Sequence, residues 1–199
     1  MKNLLFFATV LTLFSLLLFT SLNCAGKGEN EQLSKEEMVA RGKYIVTTGG
    51  CEDCHSPKVF TEMGPQFDTT RTLSGYPQGE PLPAVDPAMV QPGMWVMTDK
   101  HLAAWVGPWG ISYAANLTPD KATGIGAVSE EMFIKTIREG KLKGVGRPLL
   151  PPMPWQVYAL KTDQDLKCMY AYLMSLPAIH NEVPQPVTPD KLGEYAAVK

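Results

Sequence analysis

Residues 50–58 read GCEDCHSPK, with Cys51 and Cys54 three apart and His55 directly after them. Such a pattern can hold zinc, form a redox pair, close a disulfide or attach a haem. A structural zinc takes four ligands, usually from two paired groups. Here there is one pair, the adjacency of Cys54 and His55 makes joint coordination awkward, and Cys168, His101 and His180 form no second cluster. A thioredoxin-like pair needs a preceding strand in an α/β surround, whereas the residues before Gly49 read as helix. A plain disulfide is permitted outside the cytoplasm, but it leaves His55 without a role. The haem reading uses all three residues. Two sulfurs on one side of a helical turn can add to the two vinyl groups of a porphyrin. The histidine that follows can give a ring nitrogen to iron, and Cys-x-x-Cys-His is the usual c-type attachment signal.

A haem held in this way calls for a second axial ligand far along the chain, and methionine is usual where electrons are carried. Of ten methionines, Met38, Met132, Met169 and Met174 fall in helical patterns and read as packing residues. Met153 stands between Pro152 and Pro154 in GRPLLPPMPW, a stretch whose prolines forbid a helix. A backbone fixed by proline can present a thioether at little further entropic cost. Met153 is therefore the expected distal ligand, with His101, His180, Met94 and Met97 as substitutes. Soft methionine ligation and an apolar pocket both favour the ferrous state.

Upstream, LLFFATVLTLFSLLLFTSLN (residues 4–23) carries no charge. It reads as an export signal, and it is also long enough to span a bilayer. Cys24 closes the run in TSLNCAGKG, which resembles a bacterial lipoprotein cleavage site, although Ser21 and Asn23 depart from the usual residues there. The expectations are a signal or membrane anchor over 1–23, a polar tether over 24–33 with Cys24 lipidated, and a domain exported to the periplasmic side of the envelope and held at a membrane. Thioether attachment, which takes place outside the cytoplasm in bacteria, agrees with export.

The chain has 18 basic and 20 acidic residues among 199, with 45% hydrophobic and 19% charged. That suits one packed domain. Its weak negative charge argues against nucleic-acid binding. A helix is expected from Ser34, a cap with Glu37 three residues on, to about Thr48, where Gly49-Gly50 stops it. Ser129 begins a second helix that ends at Gly140, and Thr162 a third that ends before Pro177. A short turn covers 156–159. Residues 56–115 form a long irregular insertion rich in proline and glycine, in which MWVMT and WGISYA suggest a small β-ribbon. The tail 179–199 reads as extended over the surface. The fold class expected is mainly α: a helical domain over 34–178 with irregular connections, around a covalently bound haem.

RGKYIVTTGGCEDCHSP, NLTPDKATGIGAVSEEMFIKTIREGK, GRPLLPPMPW and DLKCMYAYLMSLP occur in the order seen in class I c-type cytochromes. The chain most resembles the cytochrome c domains found with membrane-bound alcohol and gluconate dehydrogenases. The resemblance, over about Lys35 to Pro177, implies an N-terminal helix crossing the C-terminal helix, with Gly42 against the side that bears Met169 and Tyr172. It implies one haem c attached at Cys51 and Cys54 with His55 and Met153 as iron ligands. It also puts Asn116 and Trp155 near the haem edge, with Arg147 toward a propionate. Those dehydrogenase subunits commonly carry several haem domains, but this chain has one attachment motif and an unusually long insertion. The function expected is one-electron transfer with a redox partner (a dehydrogenase, an oxidase or another cytochrome). The alternative is a haem enzyme or gas sensor with an open sixth site. Cys168 reads as a packing residue.

Overall fold

Helix α1 (Lys35–Thr48) buries Gly42, Ile45 and Val46. Gly42 lies where a Cβ would overlap the Cys168 carbonyl and press on the Tyr172 side chain, so the C-terminal helix crosses α1 almost backbone to backbone. That helix, α5 (Asp163–Ser175), opens at Thr162, whose hydroxyl accepts the Asp165 N–H at 3.1 Å. Val46, Leu166 and Leu173 are fully buried between the two helices. On the outside of the crossing, Arg41 holds Asp165 through Nε at 2.7 Å and Nη2 at 2.6 Å. The crossing is the one expected from Gly42, with Cys168 and Tyr172 as the residues met. The computed structural model describes residues 33–196. The apolar leader, Cys24 and nearly all of the tether lie outside the described residues. Among the described residues no helix is long and apolar enough to cross a membrane.

The short helix α2 (Cys51–His55) follows Gly50 and carries Cys51, Cys54 and His55. Helix α3 (Glu130–Glu139) starts where Ser129 Oγ accepts the Met132 N–H. It ends at Gly140, whose left-handed φ of 61° suits glycine. A side chain at Gly140 would also overlap the Trp155 indole, so the position is constrained twice. From there the chain turns back on itself, with Leu149 N–H donating to the Gly140 carbonyl at 2.8 Å. It then enters helix α4 (Trp155–Tyr158) through the proline segment.

The insertion is more ordered than its composition suggests. Strands β1 (Lys58–Thr61) and β2 (Gly64–Phe67) form an antiparallel hairpin. Strands β3 (Met97–Thr98), β4 (Ala104–Gly107) and β5 (Gly110–Tyr113) form an antiparallel sheet in that order. The expected ribbon partners are both strands, but each pairs with β4 and not with the other. The fold is thus mixed rather than mainly α. Where the insertion is buried, as along β4 and β5, its N–H and C=O groups must be paired, and short strands do so.

The C-terminal segment runs over the surface as expected, but it is pinned there by two buried residues, Asn181 and Leu192. Asn181 donates to the carbonyls of Ser74 (2.6 Å) and Tyr76 (2.8 Å) and accepts the Gln78 N–H at 2.8 Å. Ile111 and Val187 exchange backbone bonds of 2.9 Å in both directions. Leu192 is buried with Val85, Val90 and Ile111 in a second core. The tail is therefore a strap that pins the insertion.

Candidate functional site

One turn of helix brings Cys51, Cys54 and His55 together, all half-buried. Both cysteines are free thiols. Burial pushes the Cys51 thiol up to about 11, with the Tyr158 hydroxyl opposing. Burial raises Cys54 too, with Lys58 and Trp105 opposing. Burial lowers His55, which favours the neutral ring, while the Ala115 carbonyl opposes the shift. His55 Nδ1 lies 2.7 Å from that carbonyl, which can only accept. Nδ1 therefore carries the proton, and Nε2 keeps a free lone pair. This is the arrangement by which a second-shell carbonyl orients a metal-ligating imidazole.

Met153 is half-buried and packs against the main core, the same cluster against which Cys51 packs. That core also includes Leu73, Phe133, Ile137 and Tyr158. Tyr158 donates its hydroxyl to the Gly49 carbonyl at 2.6 Å. It thereby ties the segment after Met153 to the turn that precedes Cys51. The residues present fit a covalently held haem. Two neutral thiols lie one turn apart, an imidazole is fixed in the ligating tautomer, and a thioether reaches the apolar cluster shared with Cys51.

The substitute ligands have other duties. His101 is buried and its Nδ1 accepts the Lys58 backbone N–H at 3.0 Å. His180 is exposed beside Asp120, at 3.7 Å. Met94 is exposed, and Met97 packs on the second core. Asn116 spends its amide on the Ile179 carbonyl (2.8 Å) and the Thr118 N–H (3.0 Å), so it clasps the chain. Trp155 is half-buried against Gly140. Arg147 is exposed and donates to the Pro148 carbonyl at 3.1 Å.

Sequence reasoning missed Lys58. Its side chain is buried, and its ammonium donates to the carbonyls of Asp53 and Ser56, each at 2.6 Å, and of His101 at 3.0 Å. It thus closes the C-terminal end of α2, where carbonyls lack helical partners and favour a cation. A lysine three residues after a histidine carries no recognisable signal of this. The Ala115 carbonyl, being backbone, carries none at all.

No protein-family model matches the chain. Curated relatives do. The gluconate 2-dehydrogenase cytochrome c subunit of Pantoea cypripedii is 33% identical over 141 residues, which is 71% of this chain and 24% of the relative. The fructose dehydrogenase cytochrome subunit of Gluconobacter japonicus is 27% identical over 168 residues, 84% of this chain and 27% of the relative. The cytochrome c subunit of a quinone alcohol dehydrogenase from Gluconobacter oxydans is 27% identical over 143 residues, 72% of this chain and 22% of the relative. The chain thus spans about a quarter of the length of these relatives. Together, the geometry of Cys51, Cys54 and His55 and the breadth of these matches place the chain among cytochrome c domains of the kind such dehydrogenase subunits carry.

Proposed function

We propose that this domain is a one-electron carrier with a single haem c, attached through Cys51 and Cys54 and ligated by His55 and Met153. The observation that carries the reading is the His55 geometry: beside two free thiols, its Nδ1 is engaged by Ala115, so Nε2 is free to bind iron. When bound, the haem supplies a ferric/ferrous couple, with no substrate bond made or broken. Cys51 and Cys54 keep the group from being lost. Burial keeps their thiols protonated before attachment. The apolar core against which Met153 packs would exclude water from a bound haem and favour the less charged ferrous form.

The relatives' names supply the partner class: this chain exchanges electrons with a dehydrogenase or with a further cytochrome in such an assembly. Export, lipidation at Cys24 and retention at the membrane complete the reading. A tether there raises the carrier's effective concentration near its partner.

The test is spectroscopy of the exported protein matured with a haem-ligation system. The expected result is one haem per chain, and a ferrous form that does not bind carbon monoxide rapidly. Rapid binding would instead indicate an open sixth site. M153A should open that site and H55A should abolish stable haem incorporation.

A further inference from the structure

The segment that carries Met153 has a structural weakness. Pro151, Pro152 and Pro154 have no N–H, so this loop cannot anchor itself by donating from those positions. Its remaining donor, Met153 N–H, reaches only the Leu150 carbonyl at 3.2 Å, within the same loop. An anchor on the sheet must therefore be a donor offered from outside to one of the loop's carbonyls.

Strand β5 offers one. Ser112 is 7% exposed, and its Oγ lies 2.6 Å from the Pro151 carbonyl. The Trp105 carbonyl is farther off, at 3.4 Å. The Trp109 indole N–H, a donor only, approaches the same oxygen at 3.3 Å. The hydroxyl therefore accepts from Trp109 and turns its single proton to Pro151. The other face of the strand carries Ile111 into the second core. The strand itself is held from both sides, by β4 and by the Val187 bonds of the C-terminal strap.

The same strand runs on to the other ligand. Ala114 N–H donates to Ala103 at 2.7 Å, and its carbonyl accepts from Tyr76 at 2.9 Å. This fixes the next residue, Ala115, whose carbonyl orients His55. We propose that residues 110–115 are a common brace for both iron ligands, and that Ser112 is a positioning residue that holds the Met153 loop in place. The inference rests on the reading of Met153 as distal ligand. It gives the long insertion a role: fixing the separation of the two ligands from a rigid strand.

The experiment measures imidazole affinity for the ferric holoprotein, together with the far-red absorption band that reports methionine bound to ferric iron. Loss of one hydrogen bond of ordinary net strength should raise imidazole affinity about five- to tenfold in S112A and weaken the band. S112T, which keeps the hydroxyl, should stay near wild type. If S112A does not accumulate, S112T against the isosteric S112V isolates the hydroxyl, and Val should show the same rise. An S112A or S112V protein within about twofold of its hydroxyl-bearing counterpart overturns the proposal if M153A itself opens the site. If M153A binds imidazole no more tightly than wild type and keeps the band, Met153 is not the ligand, and the proposal falls with the reading it rests on.

Discussion

At the scale of single residues, the site depends on groups that allow little variation. Gly42 admits no Cβ, because the Cys168 carbonyl occupies that space. G42A should force the two helices apart and destabilise the domain by about 2–3 kcal/mol, as overpacking does. Denaturant unfolding of the holoprotein would show it as a lowered midpoint, and an unchanged midpoint would argue against the close crossing. Lys58 is a different case, a buried cation whose partners are backbone carbonyls. K58M removes charge-assisted bonds and leaves buried acceptors unpaired, so a loss of about 2–4 kcal/mol is expected. Because those carbonyls close α2, the yield of haem-loaded protein should fall with it; normal yield and stability would count against this role. Gly42 was legible in the sequence as a small residue on an inward helix face. Lys58 was not, because its partners are identified only once the insertion has folded back on α2.

Among the elements, the helices were read well and the insertion less so, for a common reason. Helix ends announce themselves locally: Ser129 and Thr162 accept the N–H three residues on, and Gly140 closes α3 in a left-handed turn. Hairpin β1–β2 has weak local signals, with Pro65 inside a strand and Val59, Phe60 and Phe67 exposed. The surface course of the C-terminal strap is legible from its prolines, but its anchors are not, because Asn181 and Leu192 find partners some 100 residues earlier. The α1–α5 pair has a pH signature. Burial works to raise Asp165, but hydrogen bonds from Arg41 and Thr162 outweigh it, and the carboxyl stays below its ordinary range. A folded pKa below the unfolded one stabilises the fold above the unfolded value, about 4, and that stability is lost as pH falls through the folded value. D165N should therefore flatten the acid limb of the stability profile, while leaving its shape near neutral pH unchanged. An acid limb as steep as wild type's would place the linkage elsewhere.

Across the whole molecule, charge is unevenly spread. Between residues 135 and 161, Lys135, Arg138, Lys141, Lys143, Arg147 and Lys161 face one acid, Glu139, which leaves 12 basic and 19 acidic residues for the rest of the chain. This span includes the segment of Met153, the distal ligand of the proposed reading, and carries net positive charge within a weakly acidic protein. A field of this sign attracts anions, and salt screens it over about 10 Å at 0.1 M. Oxidation of the ferrous holoprotein by ferricyanide should slow as ionic strength rises. Oxidation by a cationic cobalt–phenanthroline complex should not. Identical salt dependence for both would indicate that electrons leave by another face.

If one porphyrin is stitched to this chain at a single turn, the mass of the denatured, matured protein must record it. The expected mass is that of the chain plus one haem, with the added mass confined to the peptide that bears Cys51 and Cys54. An unmodified mass, or a disulfide between those two sulfurs, would contradict it.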